Sequence, residues 1–292
     1  MAAPSTRARA TPGPRSHAAR LASRDGYFAP ESVIRRVGNS PLVPLLGGGA
    51  AVLEQVAHPL VAIGVTEHSD YGRDLWRRLR RTLTALYLIV YGTKSEAERA
   101  GQVVQAVHAH VHGRTSEPLG PFPAGTPYSA SDPELMLWVH STLVETSLAL
   151  YRRFVRPLSA DETEAYYREM ALVAELFGTP RSVVPGTYAE FRAYLGERLA
   201  SNEISVTRPA REVARVILRA RSLPAPLRML GPAHRLSTAA LLPPRLREEY
   251  GLGWSPARAV ALRGSAGSLR LAAAPLFLLA AKLSTPRAAF RP

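Results

Sequence analysis

"AVHAHVHG", Ala106 to Gly113, sets three of the chain's 8 histidines at alternate positions. On a strand the three rings would share one face and suit a metal. On a helix they diverge, because side chains repeat every two residues in a strand and every 3.6 in a helix. The residues upstream favour the helix. Ser95 followed by Glu98 reads as a capping box, Gly113 stands where a C′ glycine belongs, and Ala97, Ala100, Val104, Val107 and Val111 recur at three and four. The spacing predicts a helix over Glu96–His112. At ~100° per residue its apolar stripe centres on Val107 and Val111. His108 sits on the shoulder of that stripe and can turn inward, His112 lies further round the same side, and His110 falls off the opposite edge. One metal cannot take all three, and a two-point site of His108 with His112 would need His112 to reach inward from an exposed position. His108 is therefore the candidate for buried chemistry.

The same periodicity extends outward in both directions. It predicts helices at Pro30–Val37, Gly48–Val65, Asp74–Tyr91, Pro133–Val155, Ala160–Phe177, Thr187–Ser201, Pro209–Arg221, Thr238–Leu242, Pro244–Tyr250, Pro256–Arg263 and Ser268–Lys282. The punctuation fits: Ser131-Asp132-Pro133 opens one helix, Ser159 with Glu162 caps another, and Pro209 starts a third. Alternating strand patterns are scarce and no internal repeat appears. The expected fold is all-α, a single multi-helix domain over residues 25–292 behind a disordered tail, residues 1–24, rich in Arg, Ala and Pro.

With 292 residues, 46% hydrophobic and 21% charged, the chain can bury a substantial core. A net charge of +14 raises nucleic acid as a partner, but the excess is arginine scattered along the chain, Lys occurring only at 94 and 282. No concentrated basic stripe or recognition motif accompanies it, so nucleic acid is not expected. Anionic cofactor groups or a lipid surface suit dispersed arginines better. With no cysteine, disulfides, iron–sulfur clusters and thiolate ligation are excluded, and any metal must rest on His and carboxylates. The start lacks the apolar run of a secretory signal, and "LRLAAAPLFLLAAK", Leu269–Lys282, falls short of the about 20 apolar residues that span a bilayer. A cytoplasmic protein is expected, with transient contact to a membrane surface at most.

Three further helices carry chemistry-bearing residues. On "DLWRRLRRTLTALYLIVYG" the residues Leu75, Leu79, Leu86 and Val90 share a face, with Thr82 in its middle and Arg78 at its edge. Singly, such a Thr satisfies a backbone carbonyl and such an Arg snorkels. Together with His108 they put a cation, a hydroxyl and an imidazole toward one interior, which suits an anionic cofactor with a ligatable metal. "GGGAAVLEQVAHPLVAIGV" is apolar nearly all round, yet carries Glu54 and His58 one turn apart; buried charge needs a partner, and a carboxylate–imidazole pair is expected. Its triple glycine lacks phosphate-loop spacing, so close helix packing or a cofactor edge explains it better. His140, sharing a side with Leu137, Val144 and Ser147, reads first as a hydrogen-bonded core histidine and second as a cofactor contact.

"LEQVAHPLVAIGVTEHSDYGRD", "RRLRRT", "YGT", "AVHAHVHG", "YSASDPELMLWVHSTLVETSL" and "RLSTAALLPPRLREEYGLGWS", in that order, resemble a family of helical proteins. It groups the fungal oxygenases of mycophenolic-acid biosynthesis (MpaB type) with the latex-clearing rubber oxygenases. The resemblance runs from about Asp25 to the C-terminal helix. It implies a haem b protein with a globin-like core that acts with dioxygen on an apolar, isoprenoid or alkene-containing substrate. It also implies a proximal His on the helix after an Arg-x-x-Lys-Thr motif. That motif reads here Arg78-Leu79-Arg80-Arg81-Thr82, and His108 matches the family's His-x-x-Val-x-Gly. The distal Lys of the rubber-cleaving branch is replaced by Arg81, which has no free lone pair. An open or water-bound sixth position is expected, and rubber itself loses its place as the expected substrate. Glu54 stands where an aliphatic residue is expected.

These readings converge on a haem b-dependent oxygenase with His108 on iron. Arg78 and Arg81 would pair propionates or polarise dioxygen, and Thr82 would donate a hydrogen bond in the pocket. His58 is a further catalytic candidate and His140 a further cofactor contact. Two alternatives stay open: a non-haem iron site from Glu54, His58 and His108 or His140, and a non-catalytic haem-binding or gas-sensing protein.

Overall fold

The computed structural model describes residues 25–68, 75–219, 228, 231–262 and 264, with the side chains of 75–77 left aside. The tail 1–24, the start of the Asp74 helix, the end of the Pro209–Arg221 helix and the apolar helix Ser268–Lys282 lie outside the described residues. What is described is all-α apart from one short hairpin. In chain order come α1 (Val33–Gly38), a π-helical turn (Val43–Gly47), α2 (Gly48–Val56), α3 (Pro59–His68), α4 (Leu75–Tyr91) and α5 (Lys94–Ala109). The hairpin of β1 (His112–Arg114) and β2 (Pro127–Ser129) follows. Then come α6 (Pro133–Phe154), α7 (Ala160–Leu176), α8 (Tyr188–Ala200), α9 (Arg208–Arg219), α10 (Gly231–Leu241) and α11 (Pro244–Glu249).

The 22-residue α6 is the axis. Asp132 caps it, accepting from the backbone N–H groups of Glu134 (2.9 Å) and Leu135 (3.2 Å), and Pro133 at the first helical position needs no donor. Trp138, Val144, Leu148 and Tyr151 on this helix join a core shared with α1, α2 and α7 to α9. The capping boxes of α7 (Ser159 with Glu162) and α8 (Thr187 with Glu190) fix where those helices begin. Helix α1 has no side-chain cap of its own, and Glu169 of α7 supplies one by accepting from the Ile34 backbone N–H at 2.6 Å.

The continuous helix expected over Gly48–Val65 is broken. Pro59 has no N–H to give and its ring crowds the residue before it, so α2 stops and the chain turns by 107° into α3. The freed Ala57 carbonyl accepts from the Ser205 backbone N–H at 2.8 Å. Upstream, the π-turn offsets its carbonyls from the usual ladder, and α10 answers them: His234 Nδ1 donates to Leu45 O (3.0 Å) and Ser237 Oγ to Leu46 O (2.9 Å). Helix α10 is also longer than the expected Thr238–Leu242.

The triple glycine serves close helix packing. A Cβ on Gly49 would lie 2.4 Å from Thr238 Oγ1 and 2.6 Å from His234 Cε1, whereas one on Gly48 meets nothing within 4 Å. Gly49→Ala is expected to destabilise the fold by about 1–3 kcal/mol through overpacking. Gly48→Ala should instead be neutral or stabilise by up to about 1 kcal/mol through helix propensity. Denaturant midpoints of the pair read the difference directly, and equal midpoints would contradict this packing.

Helix α5 departs from expectation at both ends and in its face. Its cap is Thr93 with Glu96, not Ser95 with Glu98; Glu98 instead accepts from the Tyr27 hydroxyl at 2.7 Å. It ends at Ala109, and Gly113 is not a C′ residue but lies in β1 opposite Tyr128. A Cβ there would lie 2.6 Å from Tyr128 Oη. The buried face is Ala97, Ala100 and Gly101, while Val103 (39%) and Val107 (58%) are exposed. Close approach decides this: a Cβ on Gly101 would sit 2.2 Å from Leu176 O, so small residues turn inward and the valines stand out.

Candidate functional site

The α4–α5 hairpin folds back at residues 92–93 and brings the start of α4 beside the end of α5. There the Arg78 guanidinium acts on His108. The imidazole is partly buried, its Nδ1 is sealed from solvent with no hydrogen-bond partner, and burial followed by the Arg78 charge lowers its pKa. His108 is therefore neutral at neutral pH, the form that ligates a metal.

Arg78, Arg81 and Thr82 are exposed on the same stretch of α4. Thr82 was expected amid an apolar face; it does precede Ala85 (3%) and Ile89 (0%) on one helical line, but burial begins only at Ala85. The hydroxyl and the two guanidiniums thus lie at the surface where the hairpin opens. His110 caps the C-terminus of α5, with Nδ1 2.7 Å from Ala106 O, and His112 is exposed on β1. Neither ring follows His108, and the two-point site with His112 does not form because the helix has ended.

His58 occupies the α2–α3 elbow, 2% exposed and stacked on Phe122 with ring centroids 5.5 Å apart. Its Nδ1 accepts the Leu60 backbone N–H at 3.3 Å, so the side chain caps α3. Burial, then the Arg198 charge, pushes its pKa down to about 4, with Asp132 opposing.

The expected Glu54–His58 pair is absent among the described residues. The turn at Pro59 carries His58 off the face of α2, and the one-turn spacing is lost. Glu54 is instead buried (2%) without a hydrogen bond or ion pair to its carboxyl among the described residues. Burial and the Glu145 charge hold its pKa well above the usual carboxylate range, which keeps the group protonated over a wide span of pH.

His140 is a core residue, as its first reading had it, but an unsatisfied one. Neither ring nitrogen has a partner of ordinary geometry; the Met170 backbone offers slight support to the charged form, and burial pushes the pKa down to about 4. Glu54, His58, His108 and His140 thus sit apart. Among the described residues no three His, Asp or Glu side chains gather as a metal site. A groove of about 470 Å³ lined by Arg247, Glu248, Gly251, Leu252, Gly253 and Trp254 includes none of the candidate residues.

One constellation escaped the sequence reading. At the end of α3, Glu67 and His68 both reach Tyr128 of β2, which is 5% exposed. The Tyr128 hydroxyl donates to Glu67 Oε2, His68 Nε2 lies 3.1 Å from Tyr128 Oη, and the His68 and Tyr128 rings meet edge to face at 71°. Burial and the bond to Glu67 push the phenol up to about 12. Gly64 faces this contact with room to spare, since a Cβ there would meet Val111 Cγ1 at 3.5 Å and the Tyr128 ring at 3.8 Å, ordinary packing distances. Val111 lies three residues beyond His108, so the trio and the hairpin opening occupy the same end of α5. Contacts across 60 and 61 positions leave no periodic signal; the adjacent "EH" closing an apolar helix was the available clue.

The family described as "ER-bound oxygenase mpaB/B'/Rubber oxygenase, catalytic domain" matches residues 35–271. Uncharacterised proteins of Mycobacterium bovis and Mycobacterium tuberculosis are each 29% identical over 228 residues, covering 76% of this chain and 86% of theirs. No solved structure matches significantly.

Proposed function

Because this chain belongs to the mpaB/B′ and rubber oxygenase catalytic-domain family, we propose that it is a haem b-dependent oxygenase of apolar, alkene-containing or isoprenoid-like substrates, with His108 as the iron ligand. The observation that carries the reading is His108 itself: a neutral imidazole with an unpartnered buried nitrogen, set beside a guanidinium where the hairpin opens. These residues fit the group. The imidazole offers a lone pair, Arg78 and Arg81 offer bidentate donors to carboxylates, and Thr82 offers a hydroxyl.

Bound haem would supply the activation of dioxygen. The protein's share is to hold the imidazole neutral, to anchor propionates through Arg78 or Arg81, and to orient a polar contact through Thr82. Arg81 offers N–H donors and no free lone pair, so it would serve a propionate or a polar contact and not ligate the metal. His58, sealed under Phe122 and engaged in capping α3, is better suited to holding the elbow than to chemistry.

The absorption spectrum of the purified chain, oxidised and reduced, tests this. A Soret band that shifts on reduction and on adding carbon monoxide is expected, at one haem per chain. A protein that shows no such band after haem supplementation would overturn the reading.

A further inference from the structure

We infer that the α2–α3 elbow is a binding site for a small monoanion of chloride size, to which His58 Nε2–H and the hydroxyls of Ser205 and Thr207 donate beside the Arg198 guanidinium. The tautomer of His58 carries the argument. Its Nδ1 accepts the Leu60 backbone N–H at 3.3 Å, so the ring proton stands on Nε2. That N–H finds no acceptor among the described residues, although His58 is only 2% exposed. An orphaned buried donor costs about 1–3 kcal/mol, and it points to an acceptor that the chain itself does not supply.

Ser205 and Thr207 stand at the same place. A Cβ on Gly120 would lie 2.6 Å from Ser205 Oγ, 3.3 Å from Pro59 Cγ and 3.8 Å from Thr207 Cγ2, and Phe122, two residues on, stacks on the His58 ring. Both hydroxyl oxygens are sealed from solvent and without a partner. Their backbone is nevertheless held on both sides: Ser205 N–H donates to Ala57 O, Val206 N–H to Glu249 Oε2 and Arg211 Nη1 to Val206 O, each at 2.8 Å. Loose folding therefore does not explain the orphaned hydroxyls. Thr207 immediately precedes α9, the usual capping position, yet its hydroxyl makes no cap bond.

The balance of donors and acceptors selects the ligand. The nearby carboxylates are engaged elsewhere: Asp132 caps α6, and Glu203 pairs with Arg198 Nη1 at 2.8 Å. Arg198 Nε is sealed and unpartnered, and the guanidinium is close enough for its charge to act on His58. Two N–H groups that can only donate are thus left with two free hydroxyls. Water would bring hydrogens of its own into this set, whereas a halide only accepts. Pro59 and Phe122 give the site apolar walls, which suit a monoanion better than a divalent one, whose second charge would stay buried and unpaired. The site involves neither His108 nor haem, so it stands or falls separately from the proposed oxygenase chemistry.

The test uses the full-length chain with halides as probes. Crystals grown with sodium bromide should show one anomalous peak per chain within about 3.5 Å of His58 Nε2. In solution, replacing sodium gluconate by sodium chloride at constant ionic strength should raise the midpoint of thermal unfolding along one saturable curve, because an ion bound to the folded state stabilises it by mass action. Ser205→Ala combined with Thr207→Val keeps the backbone bonds of the segment and should raise the chloride dissociation constant at least tenfold, while His108→Ala should leave it unchanged. Circular dichroism of each variant separates lost binding from lost fold. An ordered water in place of the bromide, or no peak at all, would overturn the site. A bromide peak without a saturable effect in solution would mark an adventitious ion only and overturn it equally, as would a chloride effect that survives the double substitution.

Discussion

Lowering the pH from 6.5 to 4 is expected to remove several kcal/mol of folding stability. His58 and His140 are both buried as neutral rings with pKa values pushed down to about 4, against an ordinary value of 6.5. A depressed histidine contributes its full stability above 6.5. That contribution is lost as the pH falls toward 4, because only the unfolded chain takes up the proton. At 1.36 kcal/mol per pH unit, each ring accounts for roughly 3 kcal/mol. His108 and His234 are lowered too and add in the same direction.

Glu54 opposes them. Its folded pKa is raised, so its contribution is present below the ordinary carboxylate value and declines as the pH rises through the folded pKa. Above pH 4.5 the unfolded chain releases its Glu54 proton while burial favours keeping it in the folded chain, which opposes the uptake at His58 and His140. Denaturant titrations between pH 4.5 and 6.5 should show Glu54→Gln steepening the rise of stability with pH. His140→Phe should flatten it by about one proton, 1.36 kcal/mol per unit, and, by removing two unsatisfied buried nitrogens, should lower stability little or raise it. An unchanged slope in both variants would show that these groups are not buried as described.

What the sequence made legible follows from which forces are local. Helix α6, with Asp132-Pro133 at its start and apolar residues on every side of the core, and α7, with Ser159 and Glu162, could be read because caps and periodicity act within a few residues. Pro59 also announces its break locally, but the apolar run on both sides masks it. The face of α5 was not legible. Hydrophobicity points to a stripe centred on Val107 and Val111, whereas the buried line is Ala97, Ala100 and Gly101, chosen by how closely Leu176 O approaches. Distance from a partner helix is a property of the whole packing and leaves no mark on residue type except small size. The site divides the same way. His108 and Arg78 could be paired because a two-helix hairpin fixes their register, while Tyr128 could not be set against Glu67 and His68 because a loop, a helix end and a strand intervene.

His108→Ala should abolish retention of haem, lowering its content at least tenfold, while His110→Ala and His112→Ala should bind as the wild type does. The ring of His108 is the neutral imidazole at the hairpin opening; His110 spends its Nδ1 on Ala106 O and His112 lies on the strand beyond. His108 sits near the end of α5, so its truncation leaves the buried Ala97, Ala100 and Gly101 face intact, and circular dichroism should show an unaltered fold. Exogenous imidazole added to His108→Gly should restore the spectrum, which a merely structural histidine would not allow. Acid acts on the same atom: below its pKa the imidazole gains a proton and loses its lone pair, so the haem spectrum of the wild type should be lost as the pH falls. Arg81→Lys supplies the complementary gain. A lysine, unlike an arginine, can shed its proton and ligate, so raising the pH should give this variant a low-spin, nitrogen-ligated spectrum distinct from that of the open or water-bound wild type. If His140→Ala lost its haem while His108→Ala kept it, the ligand would lie on α6 and the hairpin opening would need another role.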